Sequence, residues 1–261
     1  MPLNDTILVD RGGDGIFVVT LNRPDALNAS NEDLHGALAT IWTELAAEPE
    51  CRAVVVTGAG TAFSAGGDLT LLQRMVDDRA LRARIMAEAA TIVRTMVAFP
   101  HPVVSAVNGP AVGLGCSLAS LSDLVVMEEK AYLADPHVAL GLVAGDGGAI
   151  TWPLNMGLQR TKEWLLLGGR ITAEQALQYG LANRVVPPGQ SVPEAQALAR
   201  RLAELPPQSV RETRRVLNQP LQARIEEALD DILVAETQSF DEPAFRESLA
   251  RMLSNLKARQ Q

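Results

Sequence analysis

The chain has 261 residues, 47% of them hydrophobic and 21% charged, with a net charge of −8 at neutral pH. That length suits one large domain with a substantial core, and the acidic balance argues against a nucleic-acid partner while leaving room for an anionic small molecule met by a few arginines. Two cysteines without a Cys-x-x-Cys pair and three histidines without a His-x-x-x-His spacing offer neither a disulfide framework nor a metal site. No apolar run nears the ~20 residues that cross a bilayer, and no basic stretch followed by an apolar one opens the chain, so the expectation is a soluble cytoplasmic protein without a membrane partner.

In chain order, residues 7 to 21 alternate short β runs around Arg11–Gly15, which predicts a hairpin. Ser30, followed three residues later by Asp33, is a capping-box-like start to a helix reaching about Ala47. A β-branched run at 53–57 enters the glycine turn Gly58–Gly67, and a long amphipathic helix is predicted over 69–98. The apolar run 102–107 ends at Asn108 and Gly109, and a buried helix over 114–121 follows the turn Gly113–Gly115. Cys116 sits at its start, where a thiol is either a small buried hydrophobe or a nucleophile. Two strand-to-glycine-turn-to-helix units either only join their elements or direct two backbone N–H groups at one oxygen.

Short strands at 124–127 and 131–133 continue the order strand, strand, helix, which predicts a stacked, spiralling sheet core in place of a plain doubly wound sheet. Thr172 to Gln175 is a second capping-box variant, Tyr179–Gly180 a helix stop, and 182–186 a last strand before Pro187–Gly189. That break divides an expected core, residues 1–190, from a helical layer, 191–261, with helices at about 191–204, 207–217, 221–239 and 243–258. The sequence lacks G-x-G-x-x-G, a Walker-type loop and G-x-S-x-G, the usual marks of a dinucleotide enzyme, an NTPase or an α/β-hydrolase.

The segments Leu21–Ala29, Ala62–Leu69, Ala106–Cys116 and Gly169–Ala176, in that order, resemble the crotonase superfamily of enoyl-CoA hydratases and isomerases over about residues 5 to 215. The resemblance implies an α/β fold, a crotonase-like spiral of β-β-α units with a C-terminal helical layer that packs a homotrimer or a dimer of trimers. It implies an acyl-CoA substrate, coenzyme A entering as part of that substrate with no separate cofactor, and a role in fatty acid metabolism. It puts the oxyanion donors at the backbone amides of Gly67 and Leu114. Arg23, Ala26, Ala62, Phe63, Ala65, Gly66 and Gly115 match positions that line the acyl-CoA site, and Arg251 or Lys257 stands near the family's basic C-terminal segment.

The side chains depart from the family. Typical hydratases use two glutamates, and the matching positions here are Ser117 and His137. A histidine can give or take a proton near neutrality, although one at a helix start can also cap or pack. Asp146, nine residues on, is either a helix N-cap or a carboxylate opposite the oxyanion donors. The leading expectation is therefore an acyl-CoA enzyme of hydratase or isomerase type with Asp146 and His137 as altered acid and base. A second is hydrolysis of a carbon-carbon bond in β-diketones, since His137, Asp146 and Trp152 resemble a crotonase branch with that activity, though its members carry a histidine where Leu114 stands. A third is a non-catalytic CoA-binding protein.

Overall fold

The structure is a computed structural model that describes residues 5–260. β1 (Ile7–Arg11) and β2 (Ile16–Leu21) form the antiparallel hairpin. Then come α1 (Glu32–Ala46), β3 (Ala53–Gly58), α2 (Leu69–Asp77), α3 (Arg79–Ala98), β4 (Val103–Val107), β5 (Ala111–Val112), α4 (Leu114–Leu121), β6 (Leu124–Glu128) and β7 (Tyr132–Ala134). The chain continues through α5 (His137–Leu140), α6 (Gly148–Met156), α7 (Leu158–Leu167), β8 (Ile171–Thr172), α8 (Ala173–Tyr179) and β9 (Arg184–Val186). Four helices finish it, α9 (Ser191–Ala203), α10 (Pro207–Leu217), α11 (Gln219–Ser239) and α12 (Pro243–Gln260).

The strands build two sheets. One runs β1-β2-β3-β4-β6-β9, parallel from β2 onward, and the other β5-β7-β8. Single bridges from Ser64 to Ala111 and from Ser30 to Gly67 extend the smaller sheet. Each turn of the chain thus contributes a strand to the large sheet, a shorter extended piece to the small one, and then a helix. This is the expected β-β-α spiral.

β3 and β4 are buried at every position rather than alternately, because helices cover both faces of the parallel sheet. Val54, Val56 and Val103 join a core with Leu38, Trp42 and Ile92. Ala53, Val55, Val104 and Ala106 meet Ala195, Leu198 and Ala199 of α9 on the other face. The first helix after Pro187–Gly189 therefore returns to the sheet, while α11 lies on α3 and α6, and α12 on α2 and α5.

Two local expectations are corrected. The stretch 69–98 is two helices, because Asp78 takes extended dihedrals and accepts the N–H groups of Ala80 and Leu81 at 2.9 and 3.0 Å. The first helix is capped by Asn31, which accepts Leu34 N–H at 3.0 Å, and not by Ser30, whose backbone pairs with Gly66 and Asp68. A side-chain oxygen at an N-cap typically contributes about 1 kcal/mol. Asp78→Ala is accordingly expected to lower the free energy of unfolding by about 1 kcal/mol, read as a shifted urea midpoint at unchanged slope.

Candidate functional site

The two glycine turns touch. Gly66 has φ +87°, and a Cβ there would lie 2.9 Å from Val112 O; a Cβ on Gly113, at φ +51°, would lie 3.8 Å from Gly66 Cα. Both residues need a positive φ that favours glycine, and Gly66 needs a close approach to Val112 as well. Ser30 N–H donates to Gly66 O at 2.7 Å and Asp68 N–H donates to Ser30 O at 3.1 Å. Successive amides of an extended segment alternate sides, so Gly67 N–H faces the opposite edge, where β5 runs on to Gly113. Leu114 is the first residue of α4, so its N–H is one of the donors with no carbonyl a turn earlier. Two free amides thus border one junction.

Two titratable side chains lie against that junction. His137 Cε1 and Asp146 Oδ2 would stand 3.6 and 3.9 Å from a Cβ on Gly113. β7 ends at Ala134, and Asp135 accepts from His137 Nδ1 at 2.5 Å and from His137 N–H at 3.2 Å, which fixes the ring. Its other nitrogen, Nε2, is 3.7 Å from Asp146 Oδ2, and Ser117 Oγ donates to Asp146 Oδ1 at 2.7 Å. Asp146 is therefore no helix cap: Gly147, at φ +130°, precedes α6 and no side chain caps it. Nor does His137 cap or merely pack, since both ring nitrogens face carboxylates.

Sequence reading missed two members of the cluster. Asp135, two residues before His137, orients the ring. Glu236 of α11 is 7% exposed and reaches the backbone of Gly145, where an added Cβ would collide with Oε2. The signal was present, because the buried residues Ile225, Leu229, Leu233 and Glu236 recur at helical spacing and place a carboxyl on the apolar stripe. Burial pushes the His137 pKa down, but Asp146, Asp135 and Glu236 outweigh it and raise it to about 10. Burial raises the Asp146 pKa despite the opposing pull of His137, and burial raises Glu236 to about 8. At neutral pH the imidazole is a cation and Glu236 holds its proton.

Asp135, His137 and Asp146 present ligand-type atoms within 4.8 Å of one another. A cation among them would have to break the 2.5 Å contact between His137 and Asp135, so the arrangement suits proton transfer better than coordination. A cavity of about 230 Å³ opens beside the cluster, walled by Leu69, Leu72, Met75, Ile85 and Met86.

The remaining predicted residues are placed unevenly. Ala65, Gly66, Gly67, Leu114, His137 and Asp146 all line the cavity, and Ser117 reaches it through Asp146. Phe63 is fully buried and Ala62 nearly so, which makes the Phe63 ring a core group and leaves only backbone for a ligand. Gly115 lets α4 lie on Ser64, 2.6 Å from an added Cβ. Arg23 Nη1 is held by Ala29 O and, at 3.1 Å, by Asp68, while Ala26 closes a short 3-10 turn beside it. Arg251 donates to Ser248 at 2.9 Å; the Lys257 side chain lies outside the described residues. Cys116 is buried and its pKa well raised, as a structural thiol. Trp152 is buried, with its indole N–H on Ser120.

The sequence profile of the family described as enoyl-CoA hydratase/isomerase matches residues 11–259. A short-chain-enoyl-CoA hydratase from Clostridium acetobutylicum is 32% identical over 243 residues, 93% of this chain and 90% of that one. The crystal structure of an enoyl-CoA hydratase/isomerase from Mycobacterium paratuberculosis superposes with a TM-score of 0.93 at 49% identity, covering 96% of this chain and all of that one. A β-diketone hydrolase from the cyanobacterium Anabaena, bound to (S)-3-oxocyclohexyl acetic acid, gives a TM-score of 0.84 at 27% identity over 91% and 94% of the two chains.

The raised Glu236 pKa has a stability consequence. The folded state keeps this proton up to about pH 8, whereas an unfolded glutamate loses it near pH 4.3. Between those values the folded state binds more protons than the unfolded one, so this group makes stability fall as pH rises. Glu236→Gln is expected to flatten that slope between pH 5 and 8, measured by chemical denaturation at several pH values, and to gain most over the parent near pH 8.

Proposed function

This chain belongs to the enoyl-CoA hydratase/isomerase family, the crotonase superfamily, and on that footing we propose that it moves protons on an acyl-CoA thioester with Asp146 and His137 in place of the usual glutamates. One observation carries the reading: the Asp135–His137–Asp146 cluster abuts the same glycine, Gly113, whose turn leads into the Leu114 amide. The thioester oxygen sits between the N–H groups of Gly67 and Leu114, where each donor contributes about 3 kcal/mol to holding an enolate. In hydration, water adds its oxygen to the β-carbon and gives its proton to the Asp146 carboxylate. The double-bond electrons move to the enolate oxygen. His137, as imidazolium, then delivers a proton to the α-carbon and recovers one from Asp146 across the gap between them.

Ser117 steadies Asp146, and Asp135 holds the imidazole in the orientation this transfer needs. Coenzyme A enters as part of the substrate, with no separate cofactor, and Arg23, Ala26 and the backbone of Ala62–Gly66 take its polar half. The exposed Leu154, Leu205 and Leu217 border a groove of about 940 Å³ separate from the cavity, an apolar face that a homotrimer or a dimer of trimers would cover.

A second reading is favoured by one feature. His137 is clamped by Asp135 with Nε2 turned to Asp146, an arrangement suited to activating water against a ketone carbon. Asp146 takes a proton from the water as the water oxygen adds to the ketone carbon. The carbon-carbon bond breaks with its electrons leaving as an enolate held by the two amides, and the His137 imidazolium gives the enolate carbon a proton. The likeness to the Anabaena β-diketone hydrolase points the same way, whereas Leu114 supplies no side-chain acid.

Crotonyl-CoA is expected to lose its conjugated thioester absorbance with the purified protein. Asp146→Asn and His137→Ala should each lower kcat about 100-fold or more, the scale of positioned acid-base catalysis, with KM changed little. Parent-like turnover in Asp146→Asn would overturn the assignment. Cleavage of a cyclic β-diketone without any crotonyl-CoA turnover would establish the second reading, and acyl-CoA binding without turnover would establish a non-catalytic binder.

A further inference from the structure

Ser30 and His35 form a polar corner in the otherwise apolar wall of the cavity. Relative to Asn31, the N-cap of α1, Ser30 is the residue before the cap and His35 the fourth residue of the helix. Those two positions meet across a helix start and are normally an apolar pair, the hydrophobic staple. Here both are polar, both are buried at 2% and 6% exposure, and both line the cavity. Among the described residues the Ser30 Oγ has no hydrogen-bond partner. A buried hydroxyl without one is disfavoured and rare.

The His35 ring is held in one orientation. Its Nδ1 lies 3.0 Å from Glu88 Oε2, and Arg84 holds the other oxygen of Glu88 at 2.9 Å. Burial pushes the Glu88 carboxyl up, but His35 and Arg84 outweigh it and keep it below its ordinary value. An ionised carboxylate only accepts, so Nδ1 donates to Glu88 and Nε2 is the ring nitrogen left to meet a ligand. Ser30 also sits across the bridge from Gly67, which places the corner one strand spacing, about 4.8 Å, from the oxyanion amide.

We propose that Ser30 and His35 select an acyl thioester bearing a hydroxyl on its acyl chain beyond the reacting carbons, that hydroxyl sharing hydrogen bonds with Ser30 Oγ and His35 Nε2. The proposal rests on the acyl-CoA reading above and narrows its substrate class from unsubstituted chains to hydroxylated ones. A hydroxyl is the group that completes both partners, since it donates and accepts at once. Glu88 acts as a positioning residue that fixes the ring.

The test is calorimetric titration of the purified full-length protein with hexanoyl-CoA and with 4-, 5- and 6-hydroxyhexanoyl-CoA. At least one hydroxylated ligand is expected to bind about tenfold more tightly than hexanoyl-CoA, the scale of satisfying a buried polar group. In Ser30→Ala, and in His35→Leu, which restores an apolar staple, the preference should fall to within about twofold while hexanoyl-CoA binds at least as well as to the parent. Binding of hexanoyl-CoA with no preference for any hydroxylated chain, or a preference that survives Ser30→Ala, overturns this inference alone. Failure of all four ligands to bind overturns the acyl-CoA reading and this inference with it.

Discussion

The cation at His137 is what allows three carboxyl groups to share one buried site. Asp135, Asp146 and Glu236 are each less than a tenth exposed, and burying carboxylates without a counter-charge is strongly unfavourable. The imidazole faces Asp135 and Asp146 directly, Glu236 stays protonated, and Ser117 satisfies a remaining oxygen of Asp146. Everything that delivers these groups must then be held in register. β7 sets Asp135 and His137, the glycine turn before α6 sets Asp146, and α11 swings Glu236 in against Gly145. The C-terminal helices are therefore part of the site's electrostatics as well as its cover.

Scaffold and chemistry separate cleanly in this molecule. The junction of the two turns is made of backbone, so its demands fall on conformation: Gly66 and Gly113 for their dihedrals, and any residue but proline for the second N–H. Leucine at position 114 leaves that amide intact. The proton-carrying side chains are free to be exchanged, provided a carboxyl arrives in the same space. Ser117 stands where the family resemblance implies a glutamate, and its hydroxyl instead anchors a carboxylate that comes from a turn 29 residues later. A carboxyl thus reaches the cavity from a different element than the one the resemblance implies.

The sequence carried most of the fold. The β-branched runs at 53–57 and 103–107, the capping box at Thr172 and the four C-terminal helices all reflect local patterning that the tertiary structure preserves. Where it was misread, a side chain had two competing uses: Asp78 interrupts an amphipathic pattern by capping, and Ser30 is drawn into a sheet bridge that no local pattern announces. His137, Asp146 and both oxyanion positions were visible because they fall within recognisable motifs. Asp135 was visible in the chain but not in its role, and Glu236 and His35 each look like one polar residue on a helical face.

By itself the sequence determined the family, the spiral of sheet and helix, and the two glycine turns, because hydrophobic periodicity and glycine conformations are local properties written into short stretches of chain. Only the tertiary structure decided that Asp146 faces His137 rather than capping a helix, that Glu236 and His35 share the cavity, and that Ser30 lacks a partner. Those facts depend on distances and burial between residues far apart in sequence, and solvation and charge act through space, whatever the separation along the chain.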